Sequence, residues 1–302
     1  MAFLDRYEPL VDDHEAFVAA CSEPLPTVVR VNTIRASVER ALRALDEAEV
    51  GYERRAWNGR VLEVDTDKPG RTWPYYHGWL HGQEEVSSLP AAVLGPEPGE
   101  RVWDACAAPG GKATQLSALM DDTGTVVAND QNLGRLSALR HNAERLGVTN
   151  LAVTCADARN YSLRPFPFEA FDRALVDAPC SCEGTIRKNR DVADEWSLAH
   201  VESVAGIQKG VLRRAVQATR DGGSVVYSTC TFAPEENEAV LDHVLATEAC
   251  TVVPYETALA HDPGVRTWED EEYHPSVEHA KRFYPHQNDT GGFFCAKLEV
   301  GA

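Results

Sequence analysis

The chain has 302 residues, of which 43% are hydrophobic and 25% are charged. These fractions are usual for a globular protein with a core of its own, and they exclude collagen, a coiled coil and wholesale disorder. No run approaches the ~20 apolar residues of a membrane span, and the first residues are acidic where a secretory signal carries positive charge. We therefore expect a cytoplasmic protein.

The balance of charge is unusual. Asp and Glu number 47 against 29 Lys and Arg, which gives a net charge of −18, and only six of the basic residues are lysines. This pattern favours a halophilic protein, since molar salt shortens the Debye length to ~3 Å and screens self-repulsion; the alternative is an acidic protein without that adaptation. RNA is not excluded as a partner, because stacking and shape then supply more of the affinity than phosphate attraction.

Eight cysteines are spread along the chain. A chain of this length without a secretory signal does not use them as a disulfide framework. We expect reduced thiols that are either buried or used in chemistry. They occupy positions 21, 106, 155, 180, 182, 230, 250 and 295.

The first part of the chain predicts a helical lead followed by a small α/β module. After the lead over 1–22, the pattern predicts a strand, a helix capped by Ser37, and two strands joined by an Asn58-Gly59 turn. Residues 69–90 are rich in proline, glycine and aromatic residues, which predicts a linker between two units. We expect its aromatic side chains to pack between the units, with base stacking as the alternative.

From Glu100 onward, apolar strands alternate with amphipathic helices. This alternation predicts an α/β fold with a doubly wound, mainly parallel sheet. The last apolar stretch, GGFFCAKLE, predicts one more strand at the edge of that sheet.

Polar residues follow several predicted strands, at the edge where such sheets bind ligands. The first strand leads into the turn Cys106–Lys112, which carries two glycines but fits neither the Walker spacing nor GxGxxG. Asp130 and Asp157 end the next two strands, where carboxylates suit the ribose hydroxyls and the adenine amino group of an adenosine cofactor. A dinucleotide and S-adenosylmethionine both fit this pattern.

Two further strand ends carry the thiols of Cys180 and Cys230. A methyl donor beside a nucleophilic thiol suggests alkylation of an unreactive carbon, such as carbon-5 of a pyrimidine. Thiolate addition at carbon-6 would make carbon-5 electron-rich, and a cysteine is both a good nucleophile and a tolerable leaving group. The site should lower the pKa of the thiol, whose ordinary value is ~8.5.

Four blocks in order resemble the Sun-type RNA (cytosine-5) methyltransferases, class I enzymes that use S-adenosylmethionine. The resemblance covers 83–302 strongly and implies a Rossmann-like catalytic domain there. Residues 1–82 more weakly resemble the small RRM-like, RNA-binding front module of compact archaeal members. The blocks are DACAAPGGKATQLS, DAPCSCEGTIRKN, YSTCTFAPEENE and RFYPHQNDTGGFFCAKL.

The resemblance also implies roles for individual residues. Cys230 corresponds to the nucleophile, Cys180 to the thiol that assists release of the methylated product, and Asp177 and Lys112 to groups that reach the cytosine. The cofactor-binding positions correspond to Cys106, Ala107, Ala108, Pro109, Gly110, Gly111, Lys112, Asp130, Arg135, Asp157 and Asp177.

One residue departs from the family pattern. Cys182 stands where the family usually has glycine after Pro-Cys-Ser, which creates a Cys-x-Cys pair. We expect no metal site there, because a structural zinc site needs two further ligands and the sequence has no second close pair. We also expect a monomer.

The reaction predicted is methylation of carbon-5 of cytosine in RNA through a covalent cysteine adduct. Compact size favours tRNA as the substrate, with rRNA close behind. Basic islands at 54–60, 187–190 and 281–282 are candidate RNA contacts. The alternatives are a DNA cytosine-5 methyltransferase, in which Cys180 would be the nucleophile, and a non-catalytic RNA-binding or ribosome-assembly factor.

Overall fold

The computed structural model describes residues 2–301. The predicted lead forms a 3-10 helix over Ala2–Leu10 and helix α1 over His14–Ser22, which begins where the Asp13 side chain accepts a hydrogen bond from the amide of Ala16. The lead packs on the second half of the chain, since the ring of Phe17 lies 5.0 Å from that of Phe232.

The small module that follows is an antiparallel sheet with one face covered by a helix. The sheet order is β2-β3-β1-β4, and the core contains Val29, Leu45, Leu62 and Leu80. Its elements are β1 (Val28–Val31), α2 (Val38–Glu47), β2 (Tyr52–Arg54), β3 (Val61–Val64), α3 (Trp73–Tyr76) and β4 (Leu80–Gly82).

The predicted linker over 69–90 is therefore partly wrong. It contains α3 and β4, and β4 pairs with β1 so that Val29 lies opposite Gly82. The prolines and glycines indicate a linker, and β4 has only three residues, too few to show a strand pattern among them. Its one large apolar side chain, Leu80, is buried in the core of the module.

The remaining chain forms a large sheet with helices on both faces. Its elements are α4 (Leu89–Leu94), β5 (Arg101–Asp104), α5 (Gly111–Leu119), β6 (Thr125–Asn129), α6 (Leu133–Leu146), β7 (Leu151–Thr154), β8 (Phe171–Asp177), α7 (Val192–Glu195), α8 (Leu198–Ala218), β9 (Thr219–Thr229), α9 (Glu238–Leu245), β10 (Cys250–Val253), β11 (Asp262–Pro263), the hairpin of β12 (Thr267–Trp268) and β13 (Glu271–Glu272), β14 (Lys281–Phe283), α10 (Pro285–Asn288) and β15 (Phe293–Val300).

The strand order confirms a doubly wound sheet. Strands β7, β6, β5, β8 and β9 are parallel neighbours in that order, and the order reverses between β5 and β8. Ligands in such sheets bind outside the carboxyl ends of the strands at this reversal. The loops after β5, β8 and β9 therefore meet at one edge.

The position predicted for the last strand is wrong. Strand β15 lies inside the sheet, antiparallel to β9 on one side and to β14 and β10 on the other. Its side chains are buried along most of its length, as expected of a strand covered on both faces. Strands β10 and β14, which pair with it on that side, have only four and three residues, so their sequences do not indicate this pairing.

A buried ion pair links α9 to β14. Arg282 donates from Nε to Glu238 Oε1 at 2.7 Å and from Nη1 to the carbonyl of Phe232 at 2.9 Å, and both charged side chains are almost fully buried. Removing one partner from such a pair costs far more than removing one from an exposed pair, because the remaining charge stays buried.

We predict that Glu238→Gln lowers the free energy of unfolding by about 3–5 kcal/mol. Glu272→Gln is the control, since Glu272 forms an exposed ion pair with Arg266 at 3.4 Å and should cost less than about 1 kcal/mol. Urea unfolding measures both values. Equal losses in the two variants would show that the buried pair does not stabilise the fold.

Candidate active site

The turn after β5 brings backbone amides to the ligand-binding edge. It ends at Gly110, which precedes α5 and has a φ of +104°, in the region that favours glycine. A Cβ at this position would also lie 3.3 Å from the Cα of Leu139 in α6. The turn can therefore lie close against α6 while the first amides of α5 stay free for an anion or a polar ligand.

A cavity of about 390 Å³ lies beside this turn. Eight of its lining residues were predicted to bind a cofactor or to act in catalysis, and they come from five different strand ends or the segments that follow them. Predicted residues that line it are Cys106, Ala108, Asp130, Arg135, Asp157, Asp177, Cys180 and Cys230.

A second groove of about 390 Å³ lies on the other side of the turn. It contains four predicted residues that do not line the cofactor cavity, namely Ala107, Pro109, Gly111 and Lys112. The remaining predicted residue, Gly110, lines neither space and acts through the backbone. Cys106, Ala108 and Asp177 line both, so the turn separates two adjoining spaces.

The carboxylates of the first cavity fit an adenosine group. Asp130 is buried, and its Oδ1 accepts a hydrogen bond from the amide of Asn132 at 2.8 Å. Its Oδ2 has no hydrogen-bond donor among the described residues, although Arg135 lies 3.3 Å away. An acceptor left free in a cavity suits a ribose hydroxyl.

Asp157 differs from Asp130 in its exposure and in its partner. It is half-exposed and is held by Arg159, whose guanidinium donates to both of its oxygens and lowers the pKa of the carboxyl. Arg135 donates to the carbonyl of Ala108, which ties α6 to the turn after β5.

An ion pair lies at the junction of the two spaces. Lys112 Nζ donates to Asp177 Oδ2 at 2.7 Å, and the hydroxyl of Ser228 donates to Asp177 Oδ1 at 2.8 Å. Burial lowers the pKa of Lys112, but the Asp177 carboxylate outweighs burial and the pKa is raised. The ammonium group is therefore charged beside the thiols.

The two predicted catalytic thiols meet, and Cys182 joins them. The Sγ atom of Cys180 lies 3.3 Å from that of Cys230 and 3.8 Å from that of Cys182. S–H donation from Cys180 and Cys230 lowers the pKa of Cys182, while sharing hydrogen bonds with Cys182 and Cys230 raises the pKa of Cys180. For Cys230, the hydrogen bond with Cys180 lowers the pKa, but the hydrogen bond with Cys182 and burial outweigh it and the pKa is raised, so the expectation of a lowered pKa for the attacking thiol is wrong. The cluster thus holds one negative charge, on Cys182, more easily than two.

Two buried carboxylates accept hydrogen bonds from the loops after β8 and β9, which carry the thiols. The sequence analysis did not single out these two acids. Glu236 accepts from the amide of Ser181 at 3.0 Å and from Gln208 at 2.8 Å, and burial raises its pKa to about 7. Glu183 accepts from the Tyr7 hydroxyl at 2.7 Å and from the amide of Phe232 at 3.1 Å. Both acids lie inside the quoted motif blocks, which was the available signal.

The basic islands are mostly committed to the fold. Arg187 is buried and donates to the carbonyl of Thr290 at 2.8 Å, and Arg282 forms the ion pair with Glu238. Arg55 is paired with Glu63 and Glu85. These arginines are therefore not free for RNA, whereas Lys188 is exposed at the second groove.

Comparison with known proteins places the chain in a family. A family model described as 16S rRNA methyltransferase RsmB/F matches residues 91–299. A protein of Pyrococcus abyssi named tRNA (cytosine(49)-C(5))-methyltransferase is 35% identical, over 98% of this chain and 94% of that protein. The chain belongs to the RsmB/F family of methyltransferases.

The predicted family is confirmed by this match, and so are the methyltransferase fold and its cofactor, S-adenosylmethionine. The crystal structure of a methyltransferase homologue from Pyrococcus horikoshii superposes with a TM-score of 0.84 at 29% identity, covering 99% of both chains. A bacterial member from Shewanella loihica, named ribosomal RNA small subunit methyltransferase F, is 34% identical, and this chain spans 61% of its length.

No helix among residues 2–301 is long and apolar enough to span a membrane.

A buried acid in this RsmB/F domain gives a pH-dependent prediction. Asp104 ends β5 fully buried, and neither carboxylate oxygen has a donor among the described residues. Burial, with repulsion from Asp177 as the next cause, raises the pKa of Asp104 from 3.8 to about 8. Between these values the folded state holds one more proton than the unfolded state, so stability falls as the pH rises.

We predict that Asp104→Asn flattens this dependence between about pH 5 and pH 8, removing a slope of at most about 1.4 kcal/mol per pH unit. Urea unfolding across that range measures the slope. Asp157→Asn is the control, because the lowered pKa of Asp157 keeps it ionised in both states over the range. A slope that Asp104→Asn leaves unchanged would contradict a protonated Asp104.

Proposed function

We propose that the chain transfers a methyl group from S-adenosylmethionine to carbon-5 of cytosine in RNA. The observation that carries this proposal is the pair of thiols from Cys180 and Cys230, 3.3 Å apart beside a cavity with adenosine-type carboxylates. The names of the relatives from P. abyssi and S. loihica agree with a substrate among tRNA and rRNA.

The cofactor supplies an electrophilic methyl group. Asp130 would hold its ribose, with Arg135 fixing the adjoining turn, and Asp157 would face the adenine end of the cavity. The backbone amides of the Cys106–Lys112 turn would hold the rest of the cofactor. Cys180 and Cys230 line the same cavity, which would bring the methyl donor close to the thiols.

Cys230 is the proposed nucleophile. After it loses its proton, its sulfur bonds to carbon-6 of the cytosine and the double-bond electrons move to carbon-5. The Lys112 ammonium, paired with Asp177 at 2.7 Å, favours the thiolate and can hydrogen-bond to the pyrimidine ring. Carbon-5 then takes the methyl group and gives up its proton to a base, and the carbon–sulfur bond breaks with help from Cys180.

The groove on the far side of the turn is the proposed entrance for the cytosine. It is lined by Lys112, Asp177 and Lys188 from the catalytic domain and by Tyr75 and His81 from the module. A paired base is not accessible there, so the target must be unpaired or flipped out of its helix. We place the division between the RNA-binding module and the catalytic domain at residue 82, with the lead packed on the latter.

Among RNA substrates we favour tRNA, because the relative named as a tRNA enzyme is 35% identical over 98% of this chain. We further propose that the protein works as a monomer in a salt-rich cytoplasm, as its charge of −18 suggests. Full stability in dilute buffer would contradict that adaptation. The proposed reaction uses thiol and carboxylate groups and requires no metal.

Bisulfite sequencing of host RNA, with and without the gene, tests the reaction and identifies its substrate together. We predict that one tRNA or rRNA cytosine loses its resistance to conversion when the gene is deleted. Restoring the gene should restore it, whereas a Cys230→Ala copy should not. An RNA map unchanged by the deletion would reject the proposed function.

Purified variants separate the two thiols. Cys230→Ala should abolish methyl transfer and form no covalent RNA complex, because carbon-6 has no attacking sulfur. Cys180→Ala should accumulate a covalent RNA complex that survives denaturing electrophoresis, because release is impaired. Methyl transfer that needs Cys180 but not Cys230 would instead favour the DNA-type mechanism, and RNA binding without turnover in molar KCl would favour a non-catalytic factor.

A further inference from the structure

Cys182 has no part in the proposed reaction, yet the structure places its thiol in the catalytic cluster. Its backbone has a φ of +62°, a conformation that a glycine adopts more easily than a cysteine. The side chain is half-buried, and its Sγ contacts the carbonyl of Cys180 at 3.2 Å. The backbone therefore aims this sulfur back toward the other two.

The three sulfur atoms are arranged like ligands of one ion. The Sγ atoms of Cys180, Cys182 and Cys230 all lie within 4.8 Å of one another. A zinc ion bound tetrahedrally at ~2.3 Å from each sulfur separates the sulfurs by roughly 3.8 Å. Small side-chain rotations reach that value from the observed 3.3 and 3.8 Å. The Cys-x-Cys pair did not reveal the site, because its third ligand comes from the end of β9.

Charge also favours a cation at this cluster. Three thiolates beside the Asp177 carboxylate repel one another, and Lys112 supplies a single positive charge that is already paired with Asp177. A dication compensates thiolates that otherwise hold their protons. The cluster opens onto the cofactor cavity, which gives an ion a way in and leaves a fourth position for water.

We propose that Cys180, Cys182 and Cys230 form a three-thiolate site for a soft divalent cation such as Zn²⁺, and that the bound ion blocks methylation. Binding forms three metal–sulfur bonds and releases the protons still held by the thiols, with no change in oxidation state. Hard cations such as Mg²⁺ are excluded, because they prefer oxygen ligands. The blocking part rests on the proposed function, since it requires Cys230 to be the nucleophile, whereas the metal site does not.

The site is tested by titrating the full chain with Cd²⁺ under a phosphine reductant, which keeps the thiols from forming disulfides. The ultraviolet thiolate-to-cadmium band reports binding, and competition gives the affinity for Zn²⁺. We expect one ion per chain and affinity that increases with pH, as proton release requires. Cys182→Ser keeps the size of the side chain and should weaken binding more than about 100-fold, since losing even an outer partner costs 10–100-fold.

Cys155→Ser is the matched control, because Cys155 is exposed and lies outside the cluster; it should leave the Cd²⁺ affinity unchanged. Equal Cd²⁺ binding by the wild type and Cys182→Ser would overturn the proposal, as would the absence of a sulfur–cadmium band in the wild type.

Inhibition is measured separately. Zn²⁺ should inhibit wild-type methylation, and Cys182→Gly, which carries the usual family residue, should need about 100-fold more Zn²⁺ to lose half of its own zinc-free activity. If the wild type and Cys182→Gly were inhibited equally at the same Zn²⁺ concentration, the role of Cys182 would be overturned. A chain that binds Cd²⁺ through Cys182 but methylates no RNA would retain the metal site and reject the proposed function.

Discussion

The ion pair between Lys112 and Asp177 is the contact on which the organisation of the cleft depends. It joins the start of α5 to the end of β8, and the Ser228 hydroxyl connects the same carboxylate to β9. Three neighbouring segments are thereby fixed around one carboxylate. Because Asp177 lines both the first cavity and the adjoining groove, the proposed reaction would bring methyl donor and acceptor to the same point from opposite sides of the turn.

Buried acids maintain this arrangement at the thiol loops. Glu236 and Glu183 accept backbone and side-chain hydrogen bonds from both loops that carry cysteines. A buried acid that stays ionised needs hydrogen-bond donors at its oxygens, so Glu236 and Glu183 fix the positions of the groups that donate to them. The excess of acids in this chain is thus divided between a charged surface and a small number of interior groups that shape the cleft.

The sequence predicts much of the fold because its periodic segments are long. Helix α6, Leu133–Leu146, is one of the amphipathic helices that the alternating pattern predicts, and the order of strand ends brings Asp130, Cys180 and Cys230 to one cavity. The sequence does not predict the position of a strand that depends on pairing with residues far away in the chain. The three residues of β4 carry too little pattern, and the interior position of β15 depends on pairing with β10 and β14, which have only four and three residues. The buried state of Arg187 also depends on distant carbonyl groups.

The helical lead has a consequence for how the chain folds. Arg6 pairs with Glu235, and Tyr7 donates to Glu183, 176 residues further along the chain. Contacts between residues so far apart in sequence form slowly, because much of the chain must be ordered before they can close. We therefore expect the lead to dock late in folding. Since Glu183 also holds the loop after Cys230, the lead and the catalytic edge should behave as one cooperative unit, acquiring and losing protection from hydrogen exchange together.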